Sequence, residues 1–181
     1  MSTMFRSLSA RNYRIWFIGA LVSNAGTWMQ STAQNWVVLT ELTNNDASAV
    51  GITMALQFAP PILLVPLTGW VADRFPRRRV LLVTQSLSAA LGVTIGVLLL
   101  TGLMTLPLMY VFAGTLGVIT AFDNPSRQAF VSDLVAHENM SNAVALNAAS
   151  FNMSRLVGPA LAGLLIVAVG TGWVFLLNAF T

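Results

Sequence analysis

Long apolar blocks constrain the fold of this chain more than any other feature. About 20 helical residues cross a hydrocarbon core about 30 Å thick. Because backbone groups in lipid must find hydrogen-bond partners within the protein, we predict an all-α, polytopic membrane protein. A last apolar stretch begins at Trp173 and is too short to span. The five longer blocks cover roughly residues 15–40, 49–72, 80–100, 106–122 and 140–169.

The composition excludes several other classes of protein. Only 8% of the residues are charged, whereas a soluble domain carries about 25%. The chain has no cysteine and a single histidine, His137, so we expect neither disulfides nor a multi-histidine metal site. It shows no basic, aromatic-bearing face for nucleic acid, no glycine-rich phosphate loop with lysine and no catalytic constellation. We therefore predict neither an enzyme nor a cofactor site.

The arginines indicate how the helices are oriented. Cytoplasmic connections of membrane proteins are rich in Lys and Arg, and every second connection here contains neither: residues 41–48, 101–105 and 170–172. We therefore predict a cytoplasmic N-terminus. The arginines of the other connections are Arg6, Arg11, Arg14, Arg74, Arg77, Arg78, Arg79 and Arg127.

Polar residues recur along one face of the first block. Asn24, Thr27, Ser31 and Gln34 are spaced three, four and three residues apart, which places them on one side of a helix. Polar side chains at membrane depth face protein or a water-filled cavity. The stripe therefore indicates either a substrate path or hydrogen bonding between helices.

The connection after the second block carries the most specific motif. It contains Gly69, Asp73, Arg74, Arg77 and Arg78 within the run GWVADRFPRRR. This run resembles the signature G-x-L-A-D-R-x-G-R-R of the major facilitator superfamily, with proline where the second glycine is usual. The resemblance implies a gate at the cytoplasmic face. A carboxylate and a guanidinium at this spacing can form an ion pair, and we expect Asp73 to pair with Arg77.

The fifth block carries a weaker motif of small residues. Ser154, Gly158, Pro159 and Gly163 match the spacing of the superfamily's antiporter motif, G-x-x-x-G-P-x-x-G-G, with serine for the first glycine and alanine for another. The resemblance implies export in exchange for protons. The alternative is a face of small residues that only allows close helix packing.

Another run, residues 122–130, resembles the bacterial exporter branch that includes the enterobactin exporter and multidrug efflux proteins, as do residues 142–147. Asn124 followed by Pro125 is typical of an N-cap and a first helical residue. We therefore expect the fourth span to end there, followed by a short amphipathic helix to Val135.

Three charged residues lie in or beside the apolar blocks: Asp123, Arg127 and Arg155. An arginine at mid-membrane costs about 2.5–3.5 kcal/mol on insertion scales, so Arg155 needs a partner. Asp123 is the nearest carboxylate by depth. This pair is either a structural element or a site for ion coupling or for a substrate anion.

The resemblance implies the N-terminal six-helix half of a major facilitator fold, a three-plus-three repeat with five full spans and the start of a sixth. It implies proton-driven export of small amphiphilic molecules, such as drugs or siderophores, by alternating access from a bacterial inner membrane. We expect a C-terminal half as partner, because residues 1–181 hold only one half. The alternatives are an importer of the same superfamily and a half-length structural or assembly protein without transport activity.

Overall fold

The computed structural model describes residues 3–181, and these residues are helical without any strand. Two 3-10 segments, Thr3–Ser9 and His137–Asn139, precede the first and the sixth helix. The predicted all-α fold is thereby confirmed. The α-helices are α1 (Arg11–Thr40), α2 (Ala47–Leu63), α3 (Val65–Arg74), α4 (Arg77–Leu100), α5 (Leu106–Leu134), α6 (Met140–Val169) and α7 (Thr171–Ala179).

Three helical segments of the described part are long and apolar enough to cross a membrane: residues 77–100, 106–134 and 137–169. The bent pair α2 and α3 makes a fourth when it counts as one broken span. Helix α1 has 30 residues, but the polar side chains along it lower its hydropathy. Its buried residues include Gln30 and Gln34, so α1 is sheltered by other helices rather than by lipid alone.

The helices pair in a pattern that repeats. Helix α1 packs mainly on α6, α2 on α5, and α4 on α7 and α5, while α7 also contacts α1. The first three spans (α1, α2 with α3, and α4) correspond in order to the last three (α5, α6 and α7). Under this correspondence the α1–α6 pair is equivalent to the α5–α2 pair, and the α4–α5 pair is equivalent to the α7–α1 pair. The packing therefore follows the predicted three-plus-three organisation.

Helices α4 and α7 meet backbone to backbone at two glycines. A Cβ added to Gly96 would lie 2.9 Å from the Gly172 carbonyl oxygen, and one added to Gly172 would lie 3.2 Å from the Gly96 carbonyl oxygen. Contacts under 3.4 Å leave almost no room for a side chain. The small residues thus let the two helices approach closely.

The second predicted span is broken rather than continuous. Helices α2 and α3 meet at Leu64 with a bend of 55°. Pro66 has no backbone N–H and lies in the first turn of α3, where a helix needs no such donor. The break in this proline-rich segment thus lies between Pro61 and Pro66.

The predicted end of the fourth span at Asn124 is wrong. Helix α5 runs from Leu106 to Leu134 with Pro125 in its interior. Asp123, Ser126 and Val131 are buried on both sides of the proline, so a single packed face continues across it. This tertiary burial outweighs the local capping preference of the Asn-Pro pair, and neighbouring helices make an interior proline tolerable.

The first turns of α1 and α6 are joined to the last turns of α5 at one end of the bundle. Tyr13 donates a hydrogen bond to the Ala143 carbonyl oxygen over 3.0 Å, and both residues pack on Val131. Ser7 donates through its hydroxyl to Asn142 over 2.8 Å. We call this end the arginine end, because it carries the arginines that lie before α1 and α4 or in their first turns.

Candidate functional site

A cavity of about 580 Å³ opens between α1, α2, α4, α5, α6 and α7. Three residues of the polar stripe on α1 line it: Asn24, Thr27 and Ser31. Gln34, the fourth, is fully buried outside the lining, and its amide has no hydrogen-bond partner within residues 3–181. Thus most of the stripe faces the cavity.

Other helices supply the remaining polar wall, which the sequence analysis did not identify. Gln57 comes from α2, Gln85 from α4 and Asn178 from α7. Asn178 donates a hydrogen bond to Gln30 of α1. Because single polar residues in apolar blocks show no periodicity, no pattern in the sequence marks them as members of one site. The aromatic part of the wall comprises Trp28, Phe58, Phe151 and Phe180.

The only carboxylate that lines the cavity, within the described part of the chain, is Asp123. Its Oδ1 accepts from Thr84 Oγ1 over 2.7 Å and from Gln85 Nε2 over 2.9 Å. Its Oδ2 accepts from Arg127 Nε over 3.0 Å. The side chains of Asp123 and Arg127 are 12% and 15% exposed. A nearly buried ion pair thus forms one wall of the cavity.

The expected pairing of Asp123 with Arg155 is wrong. Both oxygens of Asp123 bind groups on α4 and α5, and α6 barely touches α5. Arg155 lies instead over the ring of Trp28, with 5.6 Å from Cζ to the ring centroid. Depth along a helix does not fix lateral neighbours: α6 packs on α1, so α1 supplies the partner through a cation–π contact.

The gating motif is placed at the arginine end, but its expected ion pair is also wrong. Arg77 donates to Asp133 over 2.7 Å and to the Ala129 carbonyl oxygen over 3.0 Å. Asp73 is exposed and has no ion pair among residues 3–181. Because the extended backbone of Phe75 and Pro76 separates α3 from α4, Arg77 starts a new helix and faces α5.

The other motif residues lie at the surface of the described bundle. Arg74 stacks on Trp70 at 5.5 Å, and Arg78 is exposed. The region around a Cβ on Gly69 is open. Asp133 was missed because it lies 56 residues from Arg77 in the chain. The sequence marks Asp133 as a partner of Arg77 only in that it is an acidic residue in a connection on the same side of the membrane as the arginines.

The antiporter-like motif divides into a packed part and an open part. Ser154 donates to the Leu21 carbonyl oxygen over 3.3 Å. A Cβ on Gly158 would lie 2.6 Å from Trp28 Cβ and 3.0 Å from the Ala25 carbonyl oxygen. A Cβ on Gly163 would meet open space. Ser154 and Gly158, the first half of the motif, therefore pack α6 closely against α1. Pro159 lies inside α6 next to this contact.

The sequence pattern of a protein family described as transmembrane secretion effectors matches residues 2–181. The chain belongs to this family. Its members are major facilitator transporters, so the predicted superfamily and exporter branch are confirmed. The prediction that the chain is not an enzyme is confirmed by the same family and its relatives.

The chain has relatives that are named as a transporter, a resistance protein and an efflux protein. It is 29% identical to the staphyloferrin A transporter of Staphylococcus aureus, over 92% of this chain and 42% of that protein. It is 30% identical to the class C tetracycline resistance protein of Escherichia coli, over 71% of this chain and 31% of the relative. Macrolide efflux protein A of Streptococcus pyogenes is 26% identical, over 85% of this chain and 38% of that protein.

The chain thus spans less than half the length of these curated relatives. No solved structure matches it significantly.

Proposed function

We propose that this chain is the N-terminal half of a secondary transporter that exports small amphiphilic molecules by alternating access, driven by proton exchange. The observation that carries the proposal is the cavity of about 580 Å³ with a polar wall, an aromatic wall and one carboxylate. The C-terminal half of the same transporter is the proposed partner. The arginine asymmetry supports a cytoplasmic arginine end in a bacterial inner membrane.

The composition of the cavity wall supports an amphiphilic substrate. Trp28, Phe58 and Phe151 offer apolar surface, while Asn24, Ser31 and the glutamines offer hydrogen bonds. Pockets of this kind bind ligands by apolar burial and orient them with a few polar groups. Relatives named for tetracycline resistance and macrolide efflux support export of a small molecule.

Asp123 is the proposed proton site. Each of its oxygens now accepts hydrogen bonds. Protonation would place a hydrogen on one of these oxygens, so at least one of the three contacts must change. If that contact is the one to Arg127, the guanidinium becomes available to the cavity. This exchange links the protonation state of Asp123 to the groups that a substrate meets.

The proposed gate is the arginine end, where Arg77 joins α4 to the last turn of α5 through Asp133. The exposed Asp73 is free to contact the partner half in one conformation. A contact that exists in only one of two states shifts the equilibrium between them. Loss of these charges would then impair alternating access more strongly than it lowers the stability of the fold.

The proposed function is tested in an efflux-deficient bacterium that expresses the complete gene. We expect reduced accumulation of amphiphilic fluorescent dyes and loss of this effect with a protonophore. Thr27→Trp should abolish export at unchanged abundance, because Thr27 is exposed within the cavity. Thr94→Trp is the matched control: both threonines are exposed and donate to their own helix backbone, but Thr94 lies outside the cavity.

Equal dye accumulation with the gene and with the empty vector, across anionic, neutral and cationic dyes, would contradict export. Equal activity of the two tryptophan variants would show that the cavity is not the path.

The gate is tested by Arg77→Gln and Asp133→Asn. The two side chains are 37% and 50% exposed, and exposed ion pairs contribute only about 0.2–1 kcal/mol to folding. Abundance should therefore stay within about twofold. Transport should fall by up to about fivefold, as expected when up to about 1 kcal/mol is lost from one conformational state. The charge exchange Arg77→Asp with Asp133→Arg should restore part of it.

Arg79→Gln, an exposed arginine outside the ion pair, is the control. Parental transport rates in both single variants would exclude the gate role.

A further inference from the structure

A second recess of about 360 Å³ lies beside the central cavity at the arginine end. Its own lining includes Trp16 of α1, Arg78 of α4 and Phe130 of α5. Four residues line both spaces: Ser23, Gln85, Arg127 and Thr181. The recess therefore adjoins the central cavity, and we call it the arginine recess.

The two arginines of this recess have unused donors. Arg127 binds Asp123 through Nε alone, and its terminal nitrogens have no hydrogen-bond acceptor in the described part of the chain. Arg78 has neither a hydrogen bond nor an ion pair among residues 3–181. Arg77 next to it differs, because its NH1 contacts Asp133, Ser132 and a backbone carbonyl.

The charges around the two spaces do not balance. Arg78 and Arg127 are positive, and Asp123 is the only carboxylate in either lining of the described chain. Asp123 is already paired with Arg127, so one positive charge remains without a counter-ion. Trp16 and Phe130 add flat apolar surface next to it. A cation would meet a repulsive field here, whereas an acidic group would meet free guanidinium donors.

We propose that the arginine recess binds the acidic group of an amphiphilic anion and thereby selects anionic over cationic substrates. The proposal rests on the proposed function, since it treats the recess as the route into the transport cavity. Arg78 and Arg127 bind a carboxylate, sulfonate or phosphate, while Trp16 and Phe130 contact the apolar part of the same molecule. The two arginines are specificity-determining residues.

The experiment compares two probes of nearly equal shape, 1-naphthaleneacetate and the neutral 1-naphthaleneacetamide, in which an uncharged amide replaces the carboxylate. Binding to the purified, complete gene product is measured by calorimetry at low salt. We expect the anion to bind about tenfold more tightly than the amide, as for one hydrogen-bonded charge contact. The ratio should fall to near one in Arg78→Gln and in Arg127→Gln, and rising salt should also reduce it.

Arg79→Gln should keep the parental ratio, because Arg79 lines neither space. Arg78 is exposed, so Arg78→Gln remains informative where Arg127→Gln fails to fold. Equal affinity for anion and amide in the parent, or an unchanged ratio in Arg78→Gln, would overturn the proposal. If either of these results is found but dyes are still exported, the recess proposal fails and the proposed function stands. If anions bind selectively but no dye is exported, the recess binds anions as proposed and the proposed function fails.

Discussion

Replacing Asp123 with leucine is expected to remove most of the folded protein from the membrane. The carboxylate is nearly buried and is the only ion-pair partner of Arg127 among the described residues. Its removal leaves a guanidinium uncompensated in a low-dielectric site. Breaking a buried pair costs about 3–5 kcal/mol. We expect about 3 kcal/mol here, because the pair lies at the wall of a cavity that can admit water.

The double variant Asp123→Leu with Arg127→Met should regain abundance, because exchanging both partners of a buried pair for apolar residues is often neutral. Its transport should stay lost, since both proposed coupling groups are absent. Abundance is measured by quantitative immunoblotting of membranes and thermal unfolding in detergent. Glu138→Leu, at an exposed carboxylate outside the bundle core, is the control. A double variant as depleted as Asp123→Leu would mean that the pair does not act as a unit.

Replacing Gly117 with alanine is expected to separate α5 from α2. The added Cβ would lie 2.6 Å from the Gln57 carbonyl oxygen and 2.9 Å from that of Leu56. Pro60 and Pro61 lie four residues after these two carbonyls and cannot donate to them. The carbonyl oxygens of Leu56 and Gln57 therefore have no donor within their own helix, and they face the backbone of Gly117, which has no side chain. Backbone atoms cannot move aside as a flexible side chain can, so we expect a cost of about 1–3 kcal/mol.

Gly114→Ala is the matched control, because its Cβ would meet open space on the same helix. Alanine also favours a helix over glycine by about 1 kcal/mol, so Gly114→Ala should keep or raise the apparent melting temperature. Gly117→Ala should lower it by several degrees and reduce abundance several-fold. Similar melting temperatures for the two variants would show that α2 and α5 can separate at little cost.

The helical membrane fold could be predicted because its causes are local. A run of about 20 apolar residues is long enough to span whatever surrounds it, and its backbone must be helical in lipid. The block over residues 140–169 coincides with α6, Met140–Val169.

The charge partners could not be predicted, because they depend on which helices are neighbours. Periodicity places a residue on a face of its helix but does not say what the face meets. The sequence indicated Asp123 as the carboxylate nearest in depth to Arg155, yet α6 packs on α1, and Arg155 lies over Trp28. Arg77 and Asp133 are far apart in the chain, yet α4 and α5 are adjacent, so they pair.

The sequence by itself determined the membrane class, the number of apolar blocks, the arginine asymmetry and the superfamily motif, since each is a property of a continuous segment. Only the tertiary structure decided that α5 continues through Pro125, that the second span breaks at Leu64, and that Asp123 bonds Arg127 beside the cavity. The physical reason is that burial against neighbouring helices outweighs local capping and turn preferences of about 1 kcal/mol. Hydrogen-bond partners in a bundle are likewise chosen by packing between helices.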